Sequence, residues 1–110
     1  MAKDRPQSQG LRDLGGVDRV VHEPARLMIL MVLYGVKEAD ALFLLNATEL
    51  TWGNLSSHVS KLEEAGYVEV DKGFAGKKPR TMLRLTGAGR KAVDDYRRTM
   101  QAALRTPRAR

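Results

Sequence analysis

The hydrophobic positions in the middle of the chain have helical spacing. Leu55, Val59 and Leu62 are separated by four and three residues, which places them in one narrow stripe of a helix. Thr51 precedes the stripe as a helix N-cap, and Gly66 follows it where a helix-ending residue belongs. The pattern therefore predicts a helix between these two residues that packs on a core along one face.

After Gly66 the hydrophobic spacing changes from helical to alternating. Val68 and Val70 alternate with other residues, and the segment "PRTMLRLT" (79–86) alternates in the same way. Two such runs joined by a loop rich in glycine and lysine predict a β-hairpin.

Helical spacing returns on both sides of this unit. Residues 25–35 are apolar nearly all round, so a helix there must be buried on two sides, and the second side fits another subunit. Residues 39–50 fit a short strand and a two-turn helix. Thr86 caps a final helix that reaches Leu104. The predicted order is helix, short strand, short helix, helix, hairpin, helix, which is an α+β fold.

The two ends of the chain lack such periodicity. Residues 1–15 are interpreted as a flexible N-terminal arm, residues 16–104 as one folded domain, and residues 105–110 as a loose basic tail. A chain of 110 residues has room for one core only.

Composition narrows the function. The net charge of +6 and a pI of about 10.0 favour a polyanionic partner such as nucleic acid. The absence of cysteine excludes disulfides, thiolate metal sites and cysteine nucleophiles. The longest apolar run, Leu27 to Val36, is about half of a membrane span, and the N-terminus lacks a secretory h-region, so a cytoplasmic protein is expected. Two isolated histidines and no glycine-rich phosphate loop argue against an enzyme, and no cofactor is expected.

The predicted middle helix is unusually bare on the side opposite its apolar stripe. A helix enters the major groove of B-DNA when its exposed face is slim, and asparagine can pair with adenine there. Trp52 fits either a wall of sugar and phosphate or the core. A plain polar surface is the alternative for the serines. The candidate DNA contacts of this helix are Thr51, Trp52, Gly53, Asn54, Ser56, Ser57, Ser60 and Lys61.

The loop of the predicted hairpin is basic. Four basic residues and one acidic residue, Asp71, give positions 71–80 a net charge of +3. Such a loop suits a phosphate track or the minor groove, although a solvated turn is the alternative. The candidate DNA contacts of the loop are Lys72, Lys77, Lys78 and Arg80.

The order of elements and the residues from Leu50 to Val93 resemble the winged helix-turn-helix domains of prokaryotic transcriptional regulators, in the MarR/ArsR-like group. "LSSHVSKLEEAGYV" is similar to the recognition helix and first wing strand of that family, and "RLTGAGR" to its exit from the wing. The resemblance is to compact single-domain regulators, and it implies a three-helix core, a short strand, a β-hairpin wing and a long C-terminal helix. Many relatives carry a long basic residue where this chain has Ser57.

The resemblance implies binding to double-stranded DNA and, in many members, a response to a small molecule. The over-apolar first helix and the long last helix, whose Tyr96, Met100 and Leu104 extend beyond a small core, indicate a homodimer, which would read a pseudo-palindrome. An effector pocket is expected between the first and last helices of the dimer, lined by Met28, Met31 or Tyr96. The alternatives are a winged-helix protein-interaction module and a non-specific architectural DNA-binding protein; a membrane-surface role is weakly supported. The residues predicted for the dimer interface are Leu27, Met28, Met31, Tyr96, Met100 and Leu104.

Overall fold

Five helices and a three-stranded antiparallel sheet form residues 6–105, which are the residues that the computed structural model describes. The α+β prediction is thereby confirmed, and its order of elements is observed after an additional first helix. The elements are α1 (Pro6–Leu14), α2 (Pro24–Val36), β1 (Glu38–Asp40), α3 (Ala41–Thr48), α4 (Trp52–Glu64), β2 (Val68–Ala75), β3 (Lys78–Leu85) and α5 (Gly87–Ala103).

The additional helix α1 corrects the expectation of a flexible arm over residues 1–15. It packs against α5 through Gly10, where an added Cβ would lie 2.7 Å from the carbonyl oxygen of Ala102. The contact is made at a glycine, which gives sequence analysis no hydrophobic position to find. The rest of the predicted arm and residues 106–110 of the predicted tail lie outside the described residues.

The core is centred on α2. Ile29, Leu30 and Leu33 are fully buried there, and the stripe predicted on α4 faces them, with Val59 half-buried at its edge. Buried side chains from the surrounding elements complete the core: Leu44, Leu55, Leu62, Val68, Leu83 and Val93.

Helix α2 begins at the predicted proline and ends slightly later than predicted. Pro24 is in its first turn, and the Glu23 side chain caps it by accepting a hydrogen bond from a backbone N–H. The helix passes Gly35, the predicted stop, and ends at Val36, where Lys37 adopts a φ of 74°.

Helices α3 and α4 form the helix-turn-helix. Glu49 ends α3 in a left-handed conformation, and two residues later the Thr51 hydroxyl accepts the Asn54 N–H at 3.1 Å. The Thr51 cap is therefore confirmed. Gly66, with a φ of +79°, follows α4, and the backbone N–H groups of residues 66 and 67 donate to carbonyls of its last turn.

The sheet has the order β1-β3-β2, with β1 opposite only the last part of β3. Strands β2 and β3 form the predicted hairpin, in register from Val68↔Leu85 to Ala75↔Lys78. A two-residue turn joins them, and only its first residue, Gly76, has a positive φ, +66°. This is the pattern of a type II′ turn, which needs glycine at that position.

Candidate nucleic-acid interface

All eight candidate DNA contacts on α4 are exposed. Leu55 and Leu62 anchor the helix to the core; Gly53 and Ser57 lie opposite them, whereas Trp52, Ser56 and Ser60 flank the core side and line one cleft with Leu55. Trp52 is 55% exposed, so it does not belong to the core and stands at the free start of the helix. These exposed positions are mainly glycine, serine and asparagine. Their short side chains allow another molecule to come close to the helix backbone.

A cleft separates α4 from the hairpin. Its volume is ≈ 280 Å³. Trp52, Ser56, Ser60 and the acidic Glu63 line it from α4, while Lys72 and Thr81 line it from the hairpin, over an apolar floor. Hydroxyl groups and an ammonium group are the donors that proteins use to bind phosphate oxygens. The cleft thus offers one strand of a sugar-phosphate backbone a place between the serines of α4 and Lys72 of the hairpin, with Glu63 as the one acidic side chain in its lining.

The two faces of the hairpin differ in charge. The inner face is the one that continues from Val70 and Leu83 at the cleft; strand alternation adds to it Lys72, Phe74, Pro79 and Thr81. Between residues 68 and 85 the inner face carries no acidic residue.

The outer face of the hairpin carries acids that pair with its arginines. Arg84 lies 3.6 Å from a carboxylate oxygen of Glu38 and 3.4 Å from one of Glu69. Arg80, a predicted DNA contact, has its Nε 3.8 Å from a carboxylate oxygen of Asp40. The structure therefore distinguishes Arg80 from Lys72, Lys77 and Lys78, which take part in no ion pair among residues 9–105.

A second basic surface lies on the other flank of α4. Lys61 shares a depression there with Arg19 and Arg26, and Glu64 is the one acidic residue in its lining. Arg19, in the turn that precedes α2, is exposed and was not predicted as a contact. Its positive charge was visible in the sequence, but nothing in a non-periodic turn indicated that it would fold beside α4.

The turn before α2 also holds α4 in place through Arg26. The guanidinium of Arg26 donates from Nε to the Val20 carbonyl at 2.6 Å and from Nη2 to the Arg19 carbonyl at 3.2 Å. Its Nη1 lies 3.1 Å from Nδ1 of His58 on α4, and a Glu23 oxygen lies 3.9 Å from the same ring nitrogen. His58 is half-buried and connects α4 to α2.

Tyr67 fixes the base of the hairpin from two sides. Its hydroxyl donates to Asp18, and this hydrogen bond to a carboxylate, together with burial, raises the pKa of Tyr67 to about 12. Its carbonyl accepts the Thr86 N–H at 3.1 Å, and the Thr86 hydroxyl donates to the Gly66 carbonyl at 2.6 Å. The hairpin is thereby attached to both ends of the domain.

The residues predicted for a dimer interface divide into two groups. Met28, Met31 and Leu104 are exposed, whereas the remaining three are half-buried. Tyr96 is hydrogen-bonded to His22 at 2.9 Å, from its hydroxyl to Nδ1 of the ring.

A cavity beside Tyr96 in the single chain lacks the methionines predicted for an effector pocket of the dimer. A solvent-open cavity of ≈ 510 Å³ lies beside Tyr96, but it is lined by the turn at 16–18, Tyr67 and the polar side of α5, and by neither Met28 nor Met31. The methionines project elsewhere on α2, so they cannot line it within one chain. A small-molecule effector stays a prediction.

The described residues hold neither a membrane-spanning helix nor a cluster of metal ligands. Over residues 6–105 no helix has the length and apolar character needed to cross a membrane. Within the same residues no group of three histidine, cysteine or acidic side chains is arranged to hold a metal ion.

Comparison with known proteins identifies relatives of this architecture. The family model described as a winged helix DNA-binding domain matches residues 25–104. An uncharacterized protein of Methanocaldococcus jannaschii, MJ0432, is 35% identical over 78 residues, which are 71% of this chain and 85% of that protein.

Solved structures extend the comparison to regulators. The transcriptional regulator homologue protein from Pyrococcus horikoshii OT3 has a TM-score of 0.79 at 27% identity, covering 84% of this chain and 94% of that chain. A transcriptional regulator of the MarR family from Silicibacter pomeroyi has a TM-score of 0.62 at 18% identity, covering 91% of this chain and 64% of that chain, which is a likeness in fold. The predicted resemblance to winged-helix DNA-binding domains is confirmed, and the likeness to the MarR family is one of fold.

Proposed function

Because the chain belongs to the winged helix DNA-binding domain family, we propose that it is a sequence-specific regulator of transcription that binds double-stranded DNA as a homodimer. Helix α4 enters the major groove, and the hairpin contacts the neighbouring minor groove. Residues 51–61 and 71–80 supply the contacts. The phosphate strand between the two grooves occupies the cleft between α4 and the hairpin.

The observation that carries this proposal is the composition of the cleft and its rims. Ser56 and Ser60 on one wall and Lys72 on the other are exposed donors within one groove of the surface. Lys61 and Arg19 supply a second basic surface on the far flank of α4. A helix seated in the major groove has one phosphate strand on each side, and these two surfaces lie on the two flanks of α4.

We assign the recognition of the DNA sequence to the exposed face of α4, which carries small side chains. Asn54 can accept and donate to adenine as a bidentate pair, and Ser57 can bond to a base edge at short range. Lys61 and the lysines of the hairpin contact phosphates, which adds affinity without sequence information.

The homodimer is supported by exposed apolar side chains away from α4. Met28 and Met31 on α2, Leu104 at the end of α5 and Leu11 on α1 are all exposed. A symmetric pair would set its recognition helices about 34 Å apart, one turn of DNA. Sedimentation equilibrium at tens of micromolar is expected to give twice the mass of the 12.2 kDa chain. A monomer under these conditions would remove the dimer from the proposal.

The direct test is a selection of genomic fragments by the purified protein near physiological salt, with Ser57→Glu alongside. Glutamate at this exposed position leaves the core untouched but sets a negative charge on the face that must approach the bases. Enrichment of one palindromic motif, lost in the variant, is the expected result.

Two outcomes contradict the proposal in different ways. Enrichment without a motif, unchanged by Ser57→Glu, would identify an architectural protein held by the hairpin. Failure to retain any duplex would indicate a module that binds an acidic protein surface. A matched variant, Asn46→Glu on the exposed side of α3, controls for the added charge alone.

A further inference from the structure

Phe74 stands at the far end of the hairpin with 74% of its surface exposed. Single exposed hydrophobic residues are common, so exposure by itself indicates nothing. The surroundings of Phe74 are what distinguish it from the exposed apolar residues of α1, α2 and α5. Phe74 is a large aromatic side chain near the tip of a basic hairpin, and it contributes nothing to the core.

The register assigns Phe74 to the inner face. Phe74 is directly opposite Pro79, and the pair next to it toward the core is Lys72↔Thr81, which lines the cleft beside α4. The turn makes Ala75 and Lys78 the hydrogen-bonded pair, so Phe74 and Pro79 form the closer, non-hydrogen-bonded kind. Two apolar side chains therefore sit together at the tip.

The distance along the strand fits the width of one phosphate track. A strand rises about 3.4 Å per residue, which carries Phe74 about 7 Å beyond Lys72 on the same face. If Lys72 holds the phosphate strand in the cleft, the next feature that Phe74 meets is the minor groove on the other side of that strand. The minor groove is only about 6 Å wide, a size that one side chain fills.

We propose that Phe74 enters the minor groove of the bound duplex as an apolar wedge, unstacking one base step and bending the DNA. The inference rests on the proposed function and adds to it a specificity mechanism. A wedge favours steps that unstack easily, so Phe74 contributes sequence preference without a hydrogen bond to a base.

The charge around Phe74 favours DNA over other partners for an exposed aromatic residue. Lys77 and Lys78 flank it at the turn, and Lys72 precedes it on the same face. Within the described chain none of the three is paired with an acid. Phosphates on both edges of the minor groove complement these three cations, and the apolar pair of Phe74 and Pro79 matches sugar and base edges.

The test compares four variants on one duplex of about 30 base pairs that carries the selected motif, or a random sequence if none is selected. Phe74→Ala removes the wedge, Phe74→Leu keeps an apolar wedge, and Lys77→Ala removes one charge from the same turn. Val36→Ala, which truncates another exposed hydrophobic residue on α2, is the matched control. Affinity is measured across a salt series, and bending by energy transfer between dyes on the two ends.

We expect Phe74→Ala to weaken binding roughly tenfold, with an unchanged salt slope, and to abolish the bend. Phe74→Leu keeps most of both properties. Lys77→Ala keeps the bend but lowers the salt slope by about 0.9, because one fewer phosphate is neutralised. Val36→Ala behaves as the unaltered protein, and thermal unfolding of all four variants is unchanged because each site is exposed.

Different experimental outcomes would contradict the wedge and the proposed function. If Phe74→Ala binds and bends DNA as the unaltered protein does while Lys77→Ala lowers the slope, the wedge is wrong and DNA binding stands. If the unaltered protein binds no duplex at any salt concentration, the proposed function fails and the wedge with it. If Phe74→Ala loses binding to phosphatidylserine vesicles but not to DNA, the tip serves a membrane and the wedge is overturned.

Discussion

The same two strands form the base and the tip of the hairpin, but the base is buried and bonded to the rest of the domain, whereas the tip is exposed. At the base, Val68 and Leu83 are almost fully buried, and Tyr67 is bound to the start of α5 and to the turn before α2. At the tip, residues 71–80 are all exposed, and none belongs to the core.

The difference separates stability from recognition along one continuous element. Changes at the base alter the packing of α5 on the sheet, so they are expected to change the free energy of unfolding. Changes at the tip leave the core intact, so they are expected to change affinity for a partner at constant stability. The base is attached to α5 and to the turn before α2 through Tyr67, and these attachments help to set the position of the tip relative to α4.

The largest effect is expected from Gly89→Ala at the base. An added Cβ at this buried position of α5 would lie 2.2 Å from the Tyr67 carbonyl oxygen and 2.8 Å from a methyl group of Leu85. The nearer atom belongs to the backbone, so α5 and the hairpin must move apart. We expect the free energy of unfolding to fall by about 2–3 kcal/mol, measured by urea denaturation.

Gly35→Ala is the matched control for this prediction. Gly35 is exposed in α2, has no atom of another element within 4 Å of an added Cβ and is not among the residues with positive φ. Alanine there is expected to stabilise the protein by about 0.5–1 kcal/mol through helix propensity. A Gly89→Ala variant as stable as the Gly35→Ala variant would mean that the base is not a fixed contact.

A smaller effect that depends on pH is expected from Tyr67→Phe. The pKa of about 12 means that the folded protein holds the phenol proton more tightly than the unfolded chain, whose tyrosine has a pKa of 10.0. The resulting stability is present below pH 10 and is lost as the pH rises through 12. The variant is expected to lose about 1 kcal/mol near neutral pH, with the difference from the unaltered protein closing between pH 10 and 12.

Ultraviolet titration isolates the cause of this shift. The difference between the curves of the unaltered protein and Tyr67→Phe reports the ionisation of that one phenol. Asp18→Asn removes the charge while keeping an oxygen acceptor, so the pKa of Tyr67 is expected to move back toward 10. A titration curve that Asp18→Asn leaves unchanged would contradict the assignment to the Asp18 hydrogen bond.

Local patterns in the sequence were sufficient to predict the scaffold of the site. The stripe of α4, its Thr51 cap, Gly66 and the alternation of the hairpin all depend on neighbours within a few residues, and each is observed. The exposure of the serines followed from the same stripe, because residues opposite a core face must point outward.

The features that sequence analysis missed depend on contacts between distant segments. Sequence analysis groups Arg80 with the unpaired cations of the hairpin. Its ion pair with Asp40 exists because β1 pairs with β3, and that long-range pairing has no local signal. Helix α1 docks through Gly10, a residue without hydrophobic signal. Arg19 came beside Lys61 only through the packing of a turn against α4. The sequence leaves two environments open for Trp52, because an aromatic residue at a helix start fits either the core or an exposed contact surface.

The smallest effect expected is a difference between two basic residues of the tip. Lys72→Gln removes an unpaired cation from the inner face, so the slope of log affinity against log salt is expected to fall by about 0.9. Arg80→Gln removes a cation that Asp40 already neutralises in part, so we expect less than half of that change. Both exchanges leave exposed side chains of similar length, and thermal unfolding is expected to stay the same.

Asp40→Ser determines whether this difference comes from the ion pair. Serine keeps an oxygen to cap α3, as Asp40 does by accepting the Phe43 N–H at 2.7 Å, but it carries no charge. In the Asp40→Ser background, Arg80→Gln is expected to lower the slope as much as Lys72→Gln, because the guanidinium is then free to contact phosphate. If Arg80→Gln has the same effect in both backgrounds, this exposed pair is too weak to withhold the charge, and the two faces of the tip are electrostatically equivalent.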